Sequence, residues 1–114
     1  MNDYRKIIGQ TVTITVDRPL GTLHPQFPEL RYPINYGYIA GIIAGDGSEQ
    51  DAYLLGVDIP VDVYVGTVIA VIHRLNDVED KWVVAPPGLP FTKDEIHDNT
   101  YFIEQYFKSE IFTA

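Results

Sequence analysis

Residues Gly45-Asp46-Gly47-Ser48-Glu49-Gln50-Asp51 constrain the fold more than any other stretch of this chain. They separate two β-like runs, Tyr36 to Ile43 before them and Ala52 to Val57 after them. A glycine-broken, carboxylate-rich segment of this kind makes a turn, so the two runs are expected to fold back on each other as a hairpin. Asp46 and Asp51 flank that turn, and a loop that folds back can aim both at one point. Two ionised carboxylates about 4 Å apart repel by roughly 4 kcal/mol at an effective dielectric near 20. Convergence therefore calls for a cation, and hard cations such as Mg²⁺ take oxygen ligands of this type. The plain alternative is a solvated acidic turn without chemistry.

The flanking segments read as β structure. Thr11 to Arg18 alternates threonine with Val or Ile, the period-2 pattern of a strand with one buried face. Pro19, Pro25, Pro28 and Pro33 then make residues 19–33 an extended surface loop holding His24 and Arg31. Tyr32, Tyr36 and Tyr38 sit at even spacing and point to one side of a strand, either as a packing stripe or as phenols facing a polar cavity. After the acidic turn a strand is expected to Val57, and Val63 to Arg74 reads as one long or glycine-bent strand. A second charged turn, Asn76-Asp77-Val78-Glu79-Asp80-Lys81, precedes the buried strand Trp82 to Ala85. From Thr92 the period changes. Thr92 with Glu95 makes a capping box, and Ile96, Thr100, Ile103, Phe107 and Ile111 form a helical stripe, with Asn99 either splitting the helix or marking a later start. About five strands and one C-terminal helix suit a small barrel with a helix packed on it.

Composition narrows the chemistry. At 114 residues the chain is expected to form one domain over residues 1–114, with room for a single core. The absence of cysteine excludes disulfides, thiolate chemistry and Cys-based zinc sites. There is no apolar run of membrane-spanning length, and the first residues lack the apolar core of a signal segment, so cytoplasm is the expected compartment. A net charge of −8 argues against nucleic acid or an anionic membrane as partner. An anionic substrate would need local cations, which bound Mg²⁺ could supply.

Taken in order, Tyr32-Pro33-Ile34-Asn35-Tyr36-Gly37-Tyr38-Ile39, then Asp46-Gly47-x-x-x-Asp51, then the acidic cluster ending in Lys81 before an apolar strand and Pro86, resemble the soluble family I inorganic pyrophosphatases. The likeness runs over roughly residues 11–110. It implies a mainly β fold with one C-terminal helix, a five-stranded barrel like the OB fold. It also implies Mg²⁺ (or Mn²⁺) in a carboxylate-lined cavity, hydrolysis of pyrophosphate to two phosphates, and self-association into a homo-oligomer. Matched to the family's Asp-x-Asp-Pro-x-Asp motif, Asp46 and Asp51 are metal ligands. Ser48 stands where the family has the aspartate that helps activate water, and Glu49 where it has proline. Asp77 matches a further ligand, and either Glu79 or Asp80 the next one, because this turn is shortened. Lys81 matches the phosphate-binding lysine, Tyr36 the site tyrosine, and Lys108 the lysine of a Tyr-Lys pair on the helix. Arg18 resembles a phosphate-holding arginine, although Asp17-Arg18-Pro19 could instead align with an earlier acidic stretch. The resemblance thus implies a metal-dependent diphosphatase. The alternative is a binding module on the same barrel that keeps a cation or phosphoryl ligand without turnover, and a third possibility is an oligomeric scaffold whose acidic turns carry no chemistry.

Overall fold

The alternating Thr/Val/Ile run forms strand β1 (Thr11–Arg18), and the tyrosine-rich run forms β2 (Asn35–Ile43). They are followed by β3 (Glu49–Leu54), β4 (Val63–Arg74), β5 (Asp80–Ala85), helix α1 (Lys93–Glu104) and β6 (Ser109–Thr113), with one 3-10 turn at Tyr4–Lys6 before them all. The computed structural model describes residues 4–76 and 79–114, so the expected ligand Asp77 lies outside the described residues. No described helix is long and apolar enough to cross a membrane.

The sheet order is β1-β2-β3-β5-β4-β6, and β1 pairs again with β4, closing five strands into a barrel. The acidic turn joins β2 to β3 as an antiparallel hairpin, as its composition predicts, whereas β3 and β5 run parallel. Strand β4 pairs with β5 along one edge, and its other edge serves two partners. Its first half, Val63 to Thr67, closes the barrel on β1, and its second half, Ala70 to Arg74, pairs with β6.

Sixth strand β6 was not expected. The apolar stripe reads on past Phe107 to Ile111, yet α1 stops at Glu104, and Ile111 lies on β6 opposite Ile72. A spacing of four residues fits both a helix turn and the alternation of a strand, so the last step of the stripe carries no preference. Pairing with the open half of β4 decides it. Lys108 is consequently not helical but sits in the connection to β6, where its backbone N–H donates to Asn76 Oδ1. The start of the helix is where the capping box puts it: Thr92 Oγ1 accepts from the Glu95 N–H, and Glu95 Oε1 accepts from the Thr92 N–H. Nor is the helix split at Asn99, whose side-chain amide donates to the Glu95 carbonyl.

Two apolar layers result from strand alternation. Ile14, Val16, Ile39, Leu54, Val68, Val71, Trp82 and Val84 fill the barrel. On its outer face Tyr53, Ala70, Ile72 and Val83 pack under Ile96 of α1. Buried Asn35 ties the proline-rich loop to this frame. Its carbonyl oxygen accepts from the Leu20 N–H, and its amide donates to the carbonyls of Val57 and Ile59.

Gly37 is required where β1 and β2 meet. A Cβ there would land on the Thr15 carbonyl oxygen and within 2.8 Å of the Val16 Cα, both backbone atoms that cannot rotate away. Gly37→Ala should therefore destabilise the barrel by about 1–3 kcal/mol or more, measured by urea denaturation. A midpoint equal to wild type would show that the close approach does not matter.

Candidate functional site

The polar end of the outer face gathers charged groups from four strands and the helix. Residues paired across neighbouring strands share a face, so β2 presents Tyr36 and Tyr38 beside Tyr53 and Asp51 of β3. A β-bulge between Val16 and Arg18 shifts the register of β1 and sets Arg18 opposite Tyr36. On β5, Lys81 faces the same way as Ile72 of β4.

Lys81 is the hub. It is 4% exposed, and its Nζ donates to Asp51 Oδ2 at 2.6 Å and to the Tyr36 hydroxyl at 3.1 Å, and it lies 3.0 Å from Glu79 Oε2. Burial works against its charge, but the neighbouring Tyr36 hydroxyl and Asp51 more than offset this, holding its pKa above the ordinary lysine value. Burial likewise pushes the Tyr36 hydroxyl up, with Lys81 opposing, so it stays protonated. Beyond Glu79 lies Asp46 at the tip of the hairpin. The two carboxyls are coupled: Asp46 raises the pKa of Glu79, and Glu79 lowers that of Asp46. Asp46 is further steadied by the Ser48 N–H at 3.0 Å.

Behind Glu79 stands a group that sequence reasoning missed. Arg74 Nη1 reaches Glu79 Oε2 at 3.3 Å, and its Nε and Nη2 hold Glu104 of α1, whose Oε2 also accepts from the Tyr53 hydroxyl at 2.6 Å. The available signal was Glu104 itself, a carboxylate one residue from Ile103 on the apolar stripe. Buried acids of that kind need a cation.

The structure brings Asp46, Asp51, Glu79, Lys81 and Tyr36 together, and sets Arg18 beside them against the Tyr32 hydroxyl. It does not bring in Asp80. Strand alternation turns this residue to the opposite face, where Oδ1 contacts His73 Nδ1 at 2.7 Å and Oδ2 accepts from the Tyr4 hydroxyl. Glu49 also points elsewhere, its carboxylate accepting from the Gly41 N–H across the hairpin. Lys108 is exposed on the connection after α1. His24 and Arg31 serve the loop: His24 Nδ1 accepts from the N–H groups of Gln26 and Phe27, and Arg31 donates to the Gly21 carbonyl.

Four carboxylates (Asp46, Asp51, Glu79, Glu104) face two cations (Arg74, Lys81) in this cluster; with every group ionised, 2 − 4 leaves a charge of −2. Among the described residues no three Asp, Glu or His side chains are already set as a shell for a metal ion. The Lys81 ammonium fills the gap between Asp51 and Glu79 instead.

The opposed shifts of Glu79 and Asp46 make a pH prediction. A carboxyl whose pKa is raised on folding adds stability below its ordinary value, here 4.5, and loses it as pH rises through the folded value. Asp46, shifted the other way, has already contributed fully above its ordinary 3.8. Asp46→Asn removes the repulsion that charges against Glu79. In metal-free buffer this variant should gain stability relative to wild type as pH rises from about 4.5 towards neutrality. Urea denaturation across that range checks it, and a constant difference would contradict the coupling of Glu79 to Asp46.

No protein-family model matches the sequence, and no curated protein matches it. Solved structures do. An inorganic pyrophosphatase from Ehrlichia chaffeensis superposes with a TM-score of 0.71 at 16% identity, over 93% of this chain and 87% of that one. One from Neisseria gonorrhoeae gives 0.66 at 19% identity over 91% and 81%, and one from Helicobacter pylori 0.64 at 15% over 91% and 83%. At such identities it is the architecture that is shared, and this chain has the barrel fold of the inorganic pyrophosphatases.

Proposed function

We propose that this chain is a Mg²⁺-dependent hydrolase of inorganic pyrophosphate or a related small phosphoanhydride. The observation that carries the reading is Lys81, a buried ammonium held by Asp51, Glu79 and Tyr36 on a barrel of the pyrophosphatase type. A structural lysine in a surface turn would be exposed and weakly paired. This one is neither.

Carboxylate oxygens are the preferred ligands of a hard divalent cation, and with every group ionised the cluster carries a net negative charge, although Lys81 stands between Asp51 and Glu79 and the described residues form no metal shell by themselves. Asp46, Asp51 and Glu79 would hold it, with Asp77 as a further ligand. When bound, a divalent cation supplies charge for phosphate oxygens and lowers the pKa of a bound water. The chain's own groups do the rest. Lys81 grips a phosphate oxygen and offsets charge moving to the leaving group; the protonated Tyr36 hydroxyl serves as a neutral donor beside it. Arg18, opposite Tyr36, stands as an outer cation for phosphate. Such positioning and charge compensation is most of what phosphoryl transfer asks of a protein. Self-association and a cytoplasmic location accompany this reading through the family resemblance.

One observation favours the second reading, a phosphoryl-binding module without turnover. Ser48 has no carboxylate to draw a proton from water, and Glu49 beside it is engaged with Gly41 across the hairpin. Measuring phosphate release from pyrophosphate with Mg²⁺ or Mn²⁺ against a metal-free control decides between the two. Metal-dependent release is expected, and Ser48→Asp should raise the rate by about 10²–10⁴-fold, the usual worth of a general base. Binding without release in wild type would favour the module.

Lys81→Met tests the hub directly. Titration calorimetry with phosphate in the presence of Mg²⁺ should show affinity reduced about tenfold or more, as expected on losing a charged hydrogen bond. Equal affinities would place Lys81 outside the phosphate site.

A further inference from the structure

Closing five strands into a barrel leaves them without edges, but β6 lies outside that closure. It pairs with β4 along one side only, and no other described strand meets it. Leu75 donates its N–H to the Lys108 carbonyl, which fixes the side of the backbone that faces β4. Backbone edges alternate along an antiparallel strand, so Glu110 and Phe112 also turn theirs to β4, while Ser109, Ile111 and Thr113 turn theirs outward. The strand carries no proline, lysine or bulge, the usual protections of such an edge. Beside it, Lys93, Asp94 and His97 of α1 stand across an open groove of about 540 Å³ whose other wall is β6 itself.

We propose that this edge is where two copies of the chain associate, their β6 strands pairing antiparallel about Ile111. That register sets Ser109 opposite the partner's Thr113 and Ile111 opposite the partner's Ile111, so the outward backbone groups of all three residues exchange hydrogen bonds. Glu110 falls opposite the partner's Phe112. No two like charges then stand directly opposite, which matters for a chain of net charge −8. Ile111 belongs to the outer apolar layer with Ile96 of α1, and the twofold pairing keeps the outer faces of both sheets on one side. The partner's Ile111 thus comes to lie along the groove beside α1. A flexible peptide would have to be ordered to fill this place, whereas a second copy brings a strand already extended on its own β4. The inference stands apart from the reading of the polar cluster as a pyrophosphate site.

Sedimentation equilibrium of the full chain should show a monomer–dimer equilibrium at micromolar concentration. Thr113→Pro and Ser109→Pro each remove an outward N–H and leave the ladder to β4 intact, and each should raise the dissociation constant about tenfold or more. Urea denaturation confirms that both variants fold. Amide exchange read residue by residue locates the contact. The N–H groups of Ile111 and Thr113 should gain protection as concentration rises, while those of Glu110 and Phe112 are protected throughout. A wild-type monomer up to millimolar concentration would overturn the proposal. So would a dimer that either folded proline variant leaves at wild-type affinity, or one in which the Ile111 and Thr113 amides stay unprotected, since association would then use another surface. If neither proline variant folds, the amide protection of wild type decides alone.

Discussion

A single buried ammonium organises the polar half of this molecule. Lys81 lies on a strand flanked by apolar neighbours, and the desolvation of its charge is compensated by Asp51, Glu79 and Tyr36 from three other segments. Ion pairs with so little water around them are weak sources of net stability, because desolvation consumes most of the attraction. They are demanding in geometry, however, since removing either partner strands a charge. The strands that supply these partners are therefore held to one register: a slip by one residue would carry Lys81 into the barrel and Asp51 away from it.

Around that hub the charges form two tiers. The inner tier, Arg74 with Glu104 and Tyr53, is closed off from solvent and balanced. The outer tier, Asp46, Asp51 and Glu79 around Lys81, is anionic and open at the hairpin tip. Glu79 belongs to both. The excess of negative charge thus lies on the solvent side, with a fixed cation behind it.

Much of this was legible in the sequence wherever a local rule decides the outcome. The β1 alternation, the hairpin at 45–51 and the Thr92 cap each depend on residues close in the chain, and each formed as read. The Tyr-Gly-Tyr run was legible as a strand, but not the reason for its glycine, which is the backbone of β1 pressing from the opposite side. Choosing Glu79 over Asp80 as Lys81's neighbour needed only the strand to begin before Lys81, since alternate residues then face together. By contrast, β6 and Arg74 depend on distant partners. A four-residue spacing disguised β6 as helix, and an arginine at a strand end looks like ordinary surface until Glu104 of α1 is seen to be buried against it, with Phe107 over its guanidinium.

The dual pairing of β4 bears on how the molecule comes together. Its N-terminal half waits for β1, some fifty residues earlier in the chain, while its C-terminal half waits for β6, which is made last. The β3–β5 pairing is parallel and also spans a long connection. Contacts of such sequence separation form late because loop-closure entropy must be met before they reward the chain. The β2–β3 hairpin that carries Asp46 and Asp51 can form early and locally, but the cations that face it arrive only when β4 and β5 dock. In a partly assembled chain the acidic tip would stand alone, a repelling edge that discourages pairing with another copy until its own lysine is in place.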